Sequence, residues 1–240
     1  MPDDAAAPPI STVDVLTPIH NGLRAMIYDL GGRLLLTDFA DPAATDRLLV
    51  DLDFAFGAGV PAGCLLCLLH AHAGHEDEVA FPPARRFDAR LVDALREDHH
   101  RFTRDLARVQ ERAAPLRTSR DASARRAAGR ALTLALDDFF ARYLAHLHRE
   151  ETELVPLLNR HFTDAELLGW RATVERSMAP ERLRALQGWI VRAMDAAALA
   201  ATLRGILAGP PAERDAQLAV VRAAVDPARW RAAAAPLGLA

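Results

Sequence analysis

Apolar residues recur through most of the chain with the period of an amphipathic helix. In TVDVLTPIHNGLRAMIYDL, the residues Val15, Ile19, Leu23, Met26, Ile27 and Leu30 fall on one face. Gly31 and Gly32 weaken this helix, yet RLLLTDF extends it to about Asp38. Asp41 and Pro42 suit an N-cap and a first-turn proline, so a second helix should follow. It runs on to HEDEVAF, is kinked or split at GAGVPAG, and is ended by Pro82 and Pro83. A third helix is predicted over about 87–113, with Leu91, Leu95, Phe102, Leu106 and Val109 in register and Pro115 after it. The fourth spans about 121–154, up to Pro156. From Thr163 the pattern breaks into shorter alanine-rich helices: TDAELLGWRATVERSM, PERLRALQGWIVRAM, DAAALAATLRGILAG and PPAERDAQLAVVRAAV. The alternation of β-branched residues that marks a strand appears nowhere. The expected fold is therefore all-α. Residues 12–160 form an up-down-up-down four-helix bundle, 1–11 a disordered N-terminal segment, and 161–240 a helical C-terminal extension.

Composition narrows the function classes. Hydrophobic residues make up 51% of the chain, but mean hydropathy is only +0.01, because alanine supplies much of that share. The net charge of -3 argues against electrostatic binding to nucleic acid or to an anionic membrane. All 29 basic side chains are arginine, which reads as codon bias and not as a binding signal. The two cysteines are too few for a disulfide framework, the N-terminus lacks the apolar core of a signal peptide, and no apolar run is long enough to span a membrane. The expected compartment is the cytoplasm.

The polar residues that interrupt the stripes carry the chemistry. HAGHEDEVAFP ends at Pro82 and HLHREETELVP at Pro156. Six positions before each proline stands a glutamate, Glu76 or Glu150, and four before each glutamate a histidine, His72 or His146. His75 falls opposite Arg149, and His70 opposite Leu144, so the repeated element is His-x-x-x-Glu. Four residues advance a helix by about 400°, which puts imidazole and carboxylate on one face, where they can chelate one metal or bridge two. A single such pair is commonly an ordinary surface pair; two at matching helix ends are not.

His20 lies early in helix one and His99 early in helix three, in the same register to the apolar stripe: Leu23 and Ile27 follow His20 as Phe102 and Leu106 follow His99. His100 points about 100° away, so His99 is the candidate. In an up-down-up-down bundle all four levels coincide. His20, His72, Glu76, His99, His146 and Glu150 would then form one layer, suited to two iron or manganese ions bridged by Glu76 and Glu150, with positions open for a small molecule. Zinc is a further candidate metal.

The order histidine, His-x-x-x-Glu, histidine, His-x-x-x-Glu resembles the hemerythrin-like (HHE cation-binding) family. The segments PIHNGLRAMI, HAGHEDEVAFP, DHHRFTRDL and HLHREETELVP carry the resemblance, over about residues 12–160. It implies a four-helix bundle whose non-haem di-iron centre, on these six residues, meets oxygen or nitric oxide. Two departures set the chain apart from the oxygen carriers. Thr103 stands where they have a second histidine in helix three, and the carboxylate is Glu150, four after the last histidine, with Glu151 at the fifth place. The set is closer to bacterial members, which points to sensing, iron handling or stress defence by reaction with peroxide or nitric oxide. The competing readings are a ferritin-like carboxylate oxidase or iron store, and a non-enzymatic interaction module with a regulatory metal. Ferritin-like sites use Glu-x-x-His and more carboxylates, so the spacing disfavours the first.

Other features are expected to be structural. Cys64 and Cys67 read as small core residues; HED at 75–77 lacks the second histidine of HExxH. His148 and His161 read as solvated or outer groups. Asp77, Glu78, Glu151 and Glu153 read as a charged outer face that could also hydrogen-bond the ligand imidazoles. Tyr28 and Tyr143 could line the site, and Trp170, Trp189 and Trp230 anchor the tail.

Overall fold

The computed structural model describes residues 11–52 and 64–239. The protein is all-α, with no strand among the described residues. The expected disorder of the N-terminal segment and the break at GAGVPAG lie outside the described residues, apart from Ser11.

α1 (Thr17–Leu36) starts later than the apolar stripe suggests. Asp14 accepts the backbone N–H groups of Leu16 and Thr17, and Pro18 occupies the first turn, so Val15 precedes the helix. α2 (Pro42–Asp51) begins as predicted, with the Asp41 carboxylate capping Ala43 N–H. α3 (Leu65–His75) does not stop at Pro82. It passes through a widened π turn, Glu76–Ala80, into α4 (Phe81–Ala84). α6 (Ala122–Arg149) repeats this, passing through Glu150–Leu154 into α7 (Val155–His161). A proline ring clashes with the carbonyl four residues back in a regular helix. In the wide turns Phe81 N–H reaches Glu76 O and Val155 N–H reaches Glu150 O, five residues back, and each proline then sits in the first turn of the next helix. The repeated prolines thus mark a change of helical register, not an end. α5 (Ala89–Thr118) likewise runs past Pro115, because the buried Leu116 and the bond from Arg125 to Leu116 O hold its last turn against the core.

Contacts join α1 to α3, α3 to α5, α5 to α6, and α6 back to α1. Each of these four helices thus contacts the next, and the last contacts the first. Two apolar clusters fill it. One holds Leu23, Leu69, Phe102 and Tyr143; the other holds Leu16, Phe81, Leu95 and Leu154. On every one of the four helices, the predicted polar residue sits between a member of each cluster.

One close approach can be tested directly. A Cβ at Gly129 of α6 would stand 2.1 Å from Cγ of Phe39. Alanine would improve helix propensity by about 1 kcal/mol, but it must evict a ring that packs on the first cluster. Gly129→Ala should therefore destabilise by about 1–3 kcal/mol. Thermal unfolding followed by circular dichroism should show the melting point falling by several degrees; a rise would mean that Phe39 moves at no cost.

The extension forms α8 (Asp164–Ser177), α9 (Pro180–Arg192), α10 (Ala196–Ala208), α11 (Pro211–Ala224) and α12 (Pro227–Ala234). The last was not apparent from the periodicity; Asp226 caps it and Pro227 opens it. Phe162 and Leu167 join the second cluster, while Val191, Leu199, Leu203 and Trp230 build a third. α9 lies on α1, where a Cβ at Gly22 would stand 3.0 Å from the Ile190 backbone. The extension is packed onto the bundle, not tethered to it.

Candidate metal centre

The structure brings all six candidate side chains into one buried layer. His20, Glu150, His146, Glu76, His99 and His72 are each at most 8% exposed. His20 comes from the first turn of α1, His72 from the last turn of α3, His99 from the middle of α5 and His146 from the end of α6. Each glutamate is the first residue of a π turn, held under its histidine one turn earlier. Such widened turns gather at functional sites, since they re-aim side chains that a regular helix would carry elsewhere.

The distances divide the layer into two halves that share both carboxylates. Oε1 of Glu76 lies 3.2 Å from His72 Nε2 and 3.8 Å from His20 Nε2, while its Oε2 lies 3.6 Å from His99 Nε2. Oε2 of Glu150 lies 3.4 Å from His20 Nε2, and its Oε1 lies 3.0 Å from His146 Nε2 and 4.0 Å from His99 Nε2. Each glutamate thus aims one oxygen at each histidine pair. Two groups of four donors result: His20, His72, Glu76 and Glu150, and Glu76, His99, His146 and Glu150. Within each group the donor atoms all lie within 4.8 Å of one another.

These residues fit metal ions on the chemistry of their unpaired atoms. Both oxygens of Glu76 and of Glu150, and Nε2 of His20 and of His72, are buried without a hydrogen-bond partner. Leaving such groups unpaired costs several kcal/mol each unless something answers them. The Nε2 atoms of His99 and His146 stand 2.9 Å apart. Two neighbouring ligands about 2.1 Å from one ion are roughly 3 Å from each other.

Without a cation, protons balance the charge. Burial opposes a charged His20, yet Glu151, Glu76 and Glu150 raise it to about 9. Burial opposes charge on His146 too, and Glu150 and Asp98 overcome it, raising it to about 10. Burial and the neighbouring Glu150 push Glu76 up to about 7. Burial works against Glu150 as well, but the His146 and His20 imidazoles hold it at about 2. His72, enclosed and facing His20, is kept well below the usual imidazole range. Metal ligands must shed their protons, so the protons on His20, His146 and Glu76 are those a cation would displace.

Outer carboxylates face the rings, as a hydrogen bond at His20 and as charge partners at His99 and His146, whose Nδ1 atoms have no hydrogen-bond partner. Nδ1 of His20 lies 3.0 Å from Glu151 Oε1, which Arg24 also grips; Nδ1 of His99 lies 3.3 Å from Asp77 Oδ2; Nδ1 of His146 lies 3.5 Å from Asp98 Oδ2. Asp77 and Glu151 therefore do more than coat the surface, whereas Glu78 is exposed and Glu153 pairs with Arg149. Asp98 escaped the sequence reading. Its one signal was a place beside His99, but it serves His146 of the next helix. Such partners fix ring orientation and basicity. Asp98→Ala should weaken metal affinity about 10- to 100-fold, with Asp98→Asn recovering part of it. Competition with a chelator would measure this, and unchanged affinity would remove Asp98 from the centre.

His100 is exposed, His75 half-buried beside the layer, and His148 exposed. His161 stacks on Phe87, with ring centroids 4.0 Å apart. Tyr28 is 63% exposed and cannot line the site. Tyr143 is buried near His146, but its hydroxyl donates to Leu69 O. Cys64 and Cys67 are buried as expected of core residues, but they are bonded to each other as a disulfide, and Cys64 caps α3. No described helix is long and apolar enough to cross a membrane.

Residues 61–158 match the family model of the hemerythrin HHE cation binding domain. The match contains five of the six candidates and begins after His20. No curated protein and no solved structure gives a match.

Proposed function

We propose that this chain, whose residues 61–158 match the family model of the hemerythrin HHE cation binding domain, is a non-haem di-iron protein that binds or reacts with oxygen, nitric oxide or peroxide. The observation that carries the proposal is the sharing of both carboxylates: Glu76 and Glu150 each direct one oxygen to the His20–His72 pair and one to the His99–His146 pair. One ion would be held by His20 and His72, the other by His99 and His146, with the two glutamates common to both. Bound iron would supply one-electron redox chemistry and open coordination positions, since two histidines and two shared carboxylates leave each ion short of six ligands.

The chain's own residues set the conditions. Two apolar clusters, above and below the layer, keep water from the carboxylates and strengthen every electrostatic interaction there. Glu151 hydrogen-bonds Nδ1 of His20, and Asp77 and Asp98 stand as charge partners 3.3 and 3.5 Å from Nδ1 of His99 and His146, so that Nε2 of each ring faces inward. Phe81 stacks on His99 and Phe102 lies edge-on to His146, which walls off that half.

The optical spectrum of the iron-loaded protein tests this. Adding nitric oxide, oxygen or peroxide should change its near-ultraviolet and visible absorption, while the metal-free protein stays silent. No change with any of the three would contradict the proposal.

A further inference from the structure

The two halves of the centre differ in what lies beyond them. The His99–His146 half is closed by aromatic rings. The other half borders a partly open cavity of about 390 Å³ between α1, the turn after α3, and the helices α8 to α11 of the extension. This is within the size range of pockets that take small organic ligands.

Three observations define what it fits. First, its walls are mainly apolar, and Leu183, Leu186 and Ile190 remain only half-buried there, so an apolar occupant would gain by covering them. Second, the histidines among its lining residues, His72 and His75, stand together with Glu76 at one end. Third, charges at the rim are already answered: Arg171 pairs with Glu175 at 3.3 Å, and Asp14 caps the start of α1. Among the described residues that line the cavity, the arginine is thus already paired with an acid.

We propose that this cavity binds one uncharged, mainly apolar organic molecule with a single hydroxyl, its oxygen directed to His72 and Glu76. The orientation rests on the di-metal reading above; the occupancy does not. The extension supplies most of the chamber's wall, so a guest would meet the centre from the His72 and Glu76 side.

Naphthol is a suitable probe, and Trp170 in the wall reports its arrival through fluorescence quenching. Titration of the full-length, metal-free chain should show one saturable site. Val174→Trp and Leu186→Trp, which fill the cavity, should each weaken binding at least about tenfold, and naphthalene sulfonate should bind at least about tenfold more weakly than naphthol. Circular dichroism identifies a variant that fails to fold, in which case the other decides. Absence of saturation, wild-type affinity in a folded filled variant, or equal binding of the sulfonate would overturn the proposal. In the metal-loaded chain naphthol should shift the metal absorption; saturable binding with an unshifted spectrum would overturn the orientation. A chain that binds naphthol but takes up no metal would refute the metal centre alone.

Discussion

Glu150→Ala should strip both ions from the loaded chain, not one. The carboxylate is fully buried, with Oε1 3.0 Å from His146 Nε2 and Oε2 3.4 Å from His20 Nε2. Its removal takes a donor from each half and leaves a single acid, Glu76, to hold two dications together. Two like charges about 4 Å apart repel by several kcal/mol even at an effective dielectric of about 20, so losing half the shared negative charge weighs on both sites. His146→Ala differs in kind, because His146 serves one half only. Elemental analysis after desalting should find well under one ion per chain for Glu150→Ala and about one for His146→Ala. Equal stoichiometry in the two variants would mean that the carboxylate is not shared.

The second large effect separates neighbouring histidines. His72→Ala and His99→Ala should lose metal affinity by more than the roughly 10- to 100-fold that removal of an outer partner costs, whereas His75→Ala and His100→Ala should stay within about twofold of the wild type. His99 is buried under Phe81 with Nε2 in the layer, while the adjacent His100 is 62% exposed and pairs with Glu97. His72 faces Glu76 at 3.2 Å, but His75 lies toward the extension and lines the cavity. Chelator competition across the four variants measures this, and equal losses from His72→Ala and His75→Ala would break the pairing of helix faces on which the centre rests.

Much of this was legible because it depends on local periodicity. The His-x-x-x-Glu repeat, the register of His20 and His99 against their apolar stripes, and the cap at Asp41 all lie within a few turns of helix. The failures share a different physical cause. Pro82 and Pro156 read as stops because a proline ends an α register, and residue type alone does not announce a turn that widens beforehand. Asp98 was missed because its partner lies 48 residues away on another helix. The seat of α9 on Gly22, and the cavity it helps enclose, follow from tertiary packing that no window of the sequence contains.

Those long-range contacts also fix the place of the extension. Trp189 and Trp170 pack against the two bundle clusters, as expected of anchors, whereas Trp230 lies in the extension's own cluster; Leu186 joins the main core and Leu167 the cluster beneath the metal layer. Removing residues from 163 onward would uncover one face of α1 and one wall of the cavity beside His72 and Glu76.

The most direct test of the central claim is the metal count of the full chain. Loaded anaerobically with ferrous iron, desalted and analysed by mass spectrometry of the elements, it should carry about two ions per chain. One ion or fewer after full loading would contradict a centre built on two histidine pairs with shared carboxylates.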